Sequence, residues 1–201
     1  MKLADGQPSA HWLQALAHSN RAFLRAQLDA KKPRSGWRRL LAEASQAVLA
    51  ARQSHNEWII DVALVNEAFT IWAADPSPDR AAVERLLKVA LKSRDDIGDR
   101  YGILQLFGLL AHVICTAKDS AKEDYRRAAI LLGIQHAMRD QKELPIPALN
   151  YKAINEARDV LRTKLPSEID RLWSHARERM SYTDALQFAL GELDLDWGSI
   201  T

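Results

Sequence analysis

A single cysteine, Cys115, stands in a chain of 201 residues, so no internal disulfide can form and nothing asks for an oxidising compartment. Glycine and proline are scarce, eight and seven residues, and they fall mostly between apolar stretches, where they act as punctuation. Strand-like alternation of apolar and polar residues is hard to find anywhere. The most apolar run, Ile103 to Ile114, is too short to cross a bilayer, and the opening "MKLADGQPSA" has no apolar stretch of signal-peptide length. No membrane partner is therefore expected, and cytoplasm is the default location. No G-x-x-x-x-G-K-[ST] segment exists to wrap phosphates, and no glycine fingerprint for a dinucleotide follows a strand. None of the six histidines forms H-x-x-x-H, and the Glu-x-x-His pairing of di-iron bundles is missing. Neither a metal nor a cofactor is expected.

What is present is an ordinary globular composition, 47% hydrophobic and 27% charged, with the charge unevenly placed. Residues 1–53 hold nine Lys or Arg against three Asp or Glu, while the net charge of the whole chain is only +2. The remainder is thus acidic on balance. The basic excess is concentrated in "KKPRSGWRR", which gives 1–35 the character of a basic N-terminal helix and linker.

Apolar residues recur at helical spacing along nearly the whole chain. Leu13, Leu16, Phe23, Leu24 and Leu28 follow Pro8-Ser9; a second helix runs from about Trp37 to Gln53 with Leu40, Leu41, Ala44, Ala47, Val48 and Ala51. Trp58, Val62, Val65, Phe69 and Trp72 mark a third stripe, which predicts that both tryptophans are core. "DPSPD" stops that helix, and Ser77 or Asp79 caps a fourth with Val83, Leu86, Leu87 and Ala90 inward. The fifth, Arg100 to Ala117, is apolar almost all round and should be covered on several sides, with Gly102 and Gly108 marking close approach of a neighbour. A sixth runs through "YRRAAILLGIQHAM"; after "ELPIP" comes a seventh with Tyr151, Ile154, Ala157, Val160 and Leu161 inward; Pro166 leads an eighth with Ile169, Leu172, Trp173 and Ala176. The ninth, "SYTDALQFAL", opens with a capping box, Ser181 and Asp184, and has one apolar side.

Helix starts near 9, 37, 57, 79, 100, 122, 148, 167 and 182 give a period of roughly 40 residues per pair, the size that belongs to α-solenoids. The sequence thus predicts an all-α fold of about nine helices, stacked as hairpins in one domain over 1–201. The last helix serves as a lid on the open end of the array.

From about Pro78 the order of signals is more specific. "GDRYGILQLFGLLAHV", "DYRRAAILLGIQHAMRDQKELPIP", "EARDVLRT" and "LWSHARERMSYTDALQFAL" together resemble the C-terminal tetratricopeptide-like sensor region of bacterial LuxR-type and related STAND-class signalling ATPases. The resemblance covers residues 78–190. It implies a tetratricopeptide-like solenoid that works as an interaction and sensing module, with protein, peptide or small effector as partner and a parent ATPase joined in cis or in trans. On this reading the chain is a tail of such a regulator or a free-standing relative that binds without catalysing.

Chemistry-bearing residues give weaker signals. His112 lies three residues before Cys115, yet Leu110, Val113 and Ile114 around them would raise a thiol's pKa, which predicts a core cysteine and no nucleophile. Asn66, Glu67, Thr70, Gln105 and His112 are polar positions on largely apolar helices, and they are the candidates for lining a partner groove. Lys31, Lys32, Arg34, Arg38 and Arg39, beside Trp37, form a candidate anion site. If that cluster dominates, the alternative is a nucleic-acid-binding helical protein; the other alternative is a small helical enzyme.

Overall fold

The computed structural model describes residues 16–25, 36–75, 78–141 and 148–200, and among these every regular element is a helix. The all-α expectation holds. The chain divides into two compact units, Met1–Ser93 and Arg94–Thr201. The first unit contains α1 over residues 16–25, α2 (Trp37–Gln53), α3 (Glu57–Ala74) and most of α4 (Arg80–Asp96). The second contains α5 (Arg100–Thr116), α6 (Lys122–Gln141), α7 (Ala148–Lys164), α8 (Ile169–Arg179), α9 (Tyr182–Leu190) and α10 (Trp197–Ile200). No helix among the described residues is long and apolar enough to cross a membrane.

Local chemistry sets the helix ends. Gly36, at φ 103, turns the chain into α2 through a backbone conformation that a side chain would disfavour. Asn56 Oδ1 accepts the Ile59 amide at 3.2 Å to start α3, Asp79 Oδ1 accepts that of Ala82 at 3.1 Å for α4, and Asp99 Oδ1 accepts that of Gly102 at 2.9 Å for α5. Each carboxylate or amide satisfies an orphan donor of a first turn, and the charged ones also sit at the positive helix end. The predicted capping box at α9 is present: Ser181 Oγ accepts the Asp184 amide at 3.1 Å, and Asp184 Oδ2 accepts the Ser181 amide at 3.0 Å. The Ser181 hydroxyl also lies 2.6 Å from Asp184 Oδ2, and its hydrogen bond, followed by that of the Ser181 amide, holds the Asp184 carboxyl below its ordinary range. Gly191, at φ 80, ends the helix, and the Glu192 amide reaches back to the Gln187 carbonyl at 2.8 Å. Ser181→Ala is expected to lower unfolding free energy by about 1 kcal/mol in a urea titration.

In the first unit Val48 and Ala51 of α2 pack on Ile59, Ala63 and Leu64 of α3, with Ala50, Ile60 and Leu86 against their edge. Phe23 of α1 meets Phe69 of α3 edge to face, centroids 5.3 Å apart. The predicted stripe of α3 needs correction. Trp58 is 48% exposed, and Val62, Val65 and Trp72 are only half-buried, whereas Ala63, Asn66, Thr70 and Ala74 are buried. Phe69 of the stripe is buried, as are Ile59 and Leu64 outside it, so on a helix apolar on most sides the spacing does not by itself pick out the packed face. Of the four residues of α4 predicted inward, Val83, Leu87 and Ala90 are buried and Leu86 is half-buried.

In the second unit α5 packs on α6 and α7, α6 packs on α7, α8 and α9, and α10 rests on α8. Between Gly102 and Cys115 every residue of α5 is buried except the half-buried Gln105, as expected for its all-round apolar surface. Glycines permit the tight approaches. A Cβ on Gly133 of α6 would stand 2.8 Å from Ala176 Cβ and 3.2 Å from Trp173 Cα of α8; one on Gly108 of α5 would stand 2.6 Å from Gln135 Nε2 and 3.0 Å from Ile154 Cγ1. Tyr151, predicted to face inward on α7, is 55% exposed and Val160 is half-buried, whereas Asn150, Ala153, Ile154, Ala157 and Leu161 form the buried face.

The end of the chain is tied down by polar as well as apolar contacts. Ala185, Leu186, Phe188 and Ala189 of α9 are buried, and Arg127 Nη2 donates to the Ala189 carbonyl at 3.3 Å. Trp197 of the unforeseen α10 lies edge-on to Phe188 at 6.3 Å, under the Arg126 guanidinium at 6.0 Å. Glu168 accepts Lys122 at 2.6 Å and Arg126 at 2.8 Å, and these two hydrogen bonds hold its carboxyl below the usual range.

Candidate functional site

Three of the polar residues read as groove-lining sit together on α3. Asn66 Nδ2 donates to Ser19 Oγ at 2.8 Å and to Asn20 Oδ1 at 2.9 Å, stitching α3 to α1. Thr70 Oγ1, wholly buried, donates to the Asn66 carbonyl one turn back at 2.7 Å. Glu67 accepts the Ser45 hydroxyl of α2 at 2.6 Å. Asn66 and Thr70 thus lie inside the helix packing with internal partners, and Glu67 is half-buried at the α2–α3 seam. Buried polar groups paired in this way fix which helix faces meet.

The other two lie on α5. Gln105 is half-buried, whereas His112 is buried against α7. Burial pushes its imidazole pKa down, with Lys152 acting in the same direction, while the Glu156 charge and a hydrogen bond with the Ala153 backbone oppose it. The neutral ring is the favoured form. Cys115 donates weakly to the His112 carbonyl at 3.6 Å and to the Ala157 carbonyl at 3.9 Å, and it is buried. A thiol in that setting is a packing group, as its apolar neighbours predict. Gln135, unmarked in the sequence, is the polar residue that fills the space over Gly108.

Of the basic cluster, Lys31, Lys32 and Arg34 lie outside the described residues. Arg38 is exposed and places its guanidinium over the Trp37 ring, 5.5 Å from the centroid. Arg39 donates from Nε to Glu43 Oε1 at 3.2 Å. Glu43 also draws Arg21 and Arg25 of α1, at 3.5 and 3.7 Å from Oε2. Neither arginine stood out in the sequence; their spacing of four, and that of Arg39 and Glu43, is the signal that could have found them.

A second polar cluster was likewise missed. Tyr182, in the first turn of α9, donates its hydroxyl to Asp95 Oδ1 at 3.0 Å, with the Arg100 guanidinium 5.0 Å from its ring centroid. Beside it Arg94 Nη1 bonds Asp99 Oδ2 at 3.0 Å and covers Gly102, where any side chain would collide with the guanidinium. Burial, then the bond to Asp95, pushes the Tyr182 phenol from 10.0 up to about 12. Ultraviolet titration should show one of the four tyrosines ionising late, and Tyr182→Phe should remove that phase. The folded state binds the phenolic proton more tightly than the unfolded chain does. The stabilisation is therefore complete below pH 10 and disappears as the pH rises through about 12.

Among the described residues no group of three or more His, Cys, Asp or Glu is placed to hold a metal ion. Comparison of the chain with protein-family models, with curated proteins and with solved structures finds no match.

Proposed function

We propose that this chain is a non-enzymatic interaction module, a tetratricopeptide-like stack of helix hairpins that takes a partner protein, a peptide or a small effector. On the resemblance of residues 78–190, it is the sensor or scaffold part of a bacterial signalling or transcription-regulating ATPase joined in cis or in trans. The observation that carries the reading is the neighbour pattern of the second unit. There α5 packs on α6 and α7, and α6 packs on α7 and α8, so each of these two helices meets its successor and the one after. That arrangement supports a stack built by adding hairpins, in which repeat proteins present a continuous lateral surface to partners. The fate of the reactive groups agrees with it: Cys115 and His112 are packing residues of α5.

Affinity purification of the intact chain from its native cells, with nuclease treatment before elution, tests the proposal. A protein retained in stoichiometric amount and unaffected by nuclease is expected. Recovery of nucleic acid alone, or of no partner at all, would overturn the reading.

A further inference from the structure

Glu43 lies on α2 with its side chain only 13% exposed, and three arginines converge on it from two helices. Arg39 makes the one hydrogen bond, at 3.2 Å to Oε1; Arg21 and Arg25, at 3.5 and 3.7 Å from Oε2, stand too far away for good ones. Oε2 accepts no hydrogen bond among the described residues. Among the described residues one negative charge is thus set among three positive ones, and the cluster carries a surplus of cationic charge. Its guanidiniums face water, with side-chain exposures of 47%, 49% and 81% for Arg21, Arg25 and Arg39. Each fork carries several N–H donors, and among the described residues the cluster meets, beyond Glu43, the ring of His18, 3.1 Å from Arg21 Nη2.

We infer that Arg21, Arg25 and Arg39 form a docking site for a carboxylate-rich segment of a partner protein. Glu43 is the resident carboxylate that gathers the three forks at one place, and the partner's acidic side chains join it on the exposed side. This rests on the interaction-module reading and names the chemistry of the partner. Two observations favour carboxylates over a nucleic-acid backbone. The forks already converge on a carboxylate, the planar group that guanidinium matches best in bidentate geometry. And the next cation along α2, Arg38, turns onto Trp37 and does not extend the cluster into a track that could follow successive phosphates.

Fluorescence anisotropy of the intact chain with a labelled glutamate-rich peptide tests the site, with the glutamine version of the peptide and an oligothymidylate of equal charge as comparisons. The glutamate peptide is expected to bind more tightly than either, with affinity that falls as salt rises. Changing Arg21 and Arg25 together to alanine should weaken binding about tenfold or more, because two charge-assisted forks are lost. Glu43→Gln should tighten it severalfold by removing the competing carboxylate, and Arg38→Ala should leave it unchanged. Circular dichroism accompanies each variant. Should the double variant unfold, Arg39→Ala, on the exposed side of α2, gives the same test without disturbing α1.

No binding of the peptide, equal binding by the arginine variants, or preference for the oligothymidylate would overturn the assignment. If affinity purification still recovers a protein partner, only this site falls. If it does not, the interaction-module reading falls with it.

Discussion

Phe107→Ala is expected to lower the unfolding free energy by about 3–5 kcal/mol, the range for emptying a buried aromatic site. Phe107 is wholly buried on α5, the helix that packs on both α6 and α7, so its removal leaves a void that neither neighbour can fill without losing the other's contact. Against a total stability of about 5–15 kcal/mol for a domain, such a loss takes roughly a fifth or more of the margin. Denaturant titration followed by far-ultraviolet circular dichroism measures it, as a lower midpoint with an unchanged slope. Tyr151→Ala is the control. With its side chain 55% exposed, it should stay within about 0.5 kcal/mol of the parent.

The second large effect separates two glycines that look alike in sequence. Alanine in place of a mid-helix glycine gains about 1 kcal/mol from helix propensity alone. At Gly133 that gain is outweighed, because the new methyl would stand 2.8 Å from Ala176 Cβ and 3.2 Å from Trp173 Cα. Neither atom can swing aside, so α8 must move away from α6, and overpacking of this kind costs about 1–3 kcal/mol. Gly133→Val, with two further methyls, belongs at the upper end or above. At Gly108 the close atoms are side-chain ends, Gln135 Nε2 at 2.6 Å and Ile154 Cγ1 at 3.0 Å, with no backbone atom among them, so Gly108→Ala should be milder. Thermal unfolding of the two variants side by side gives the comparison. Equal melting temperatures would mean that the α6–α8 contact yields more easily than its geometry indicates.

Helix boundaries were the most legible part of the fold because their causes are local. Asn56, Asp79, Asp99 and Ser181 each satisfy an amide within three residues of themselves, and the elements begin where these residues stand. The inward face of α3 was less legible. Its apolar residues surround the helix, so spacing alone could not say that Ala63, Asn66 and Thr70 meet the neighbours more closely than Trp58 does. The short α10 escaped notice because four residues carry too little periodicity to register, although Trp197 is anchored by Phe188 of the preceding helix and by Arg126 from far along the chain.

The same division of local from distant applies to the candidate site. Arg39 stood out as part of a basic run, whereas Arg21 and Arg25 acquire their meaning through Glu43, a carboxylate on another helix and distant in the sequence. Polarity on an apolar helix singled out Asn66, Thr70 and His112, and burial explains why that signal is ambiguous. A polar group bonded inside the packing and one facing a partner look the same until the neighbouring helix is in place.

Cys115 supplies a built-in clock. It is the chain's one thiol and lies 2% exposed on α5, where alkylating reagents have no path to the sulfur. Its labelling rate, divided by that of an unfolded control, therefore reports how often this stretch of α5 parts from its surroundings. A slow rate that accelerates in parallel with global denaturation would mark α5 as belonging to the last structure to open.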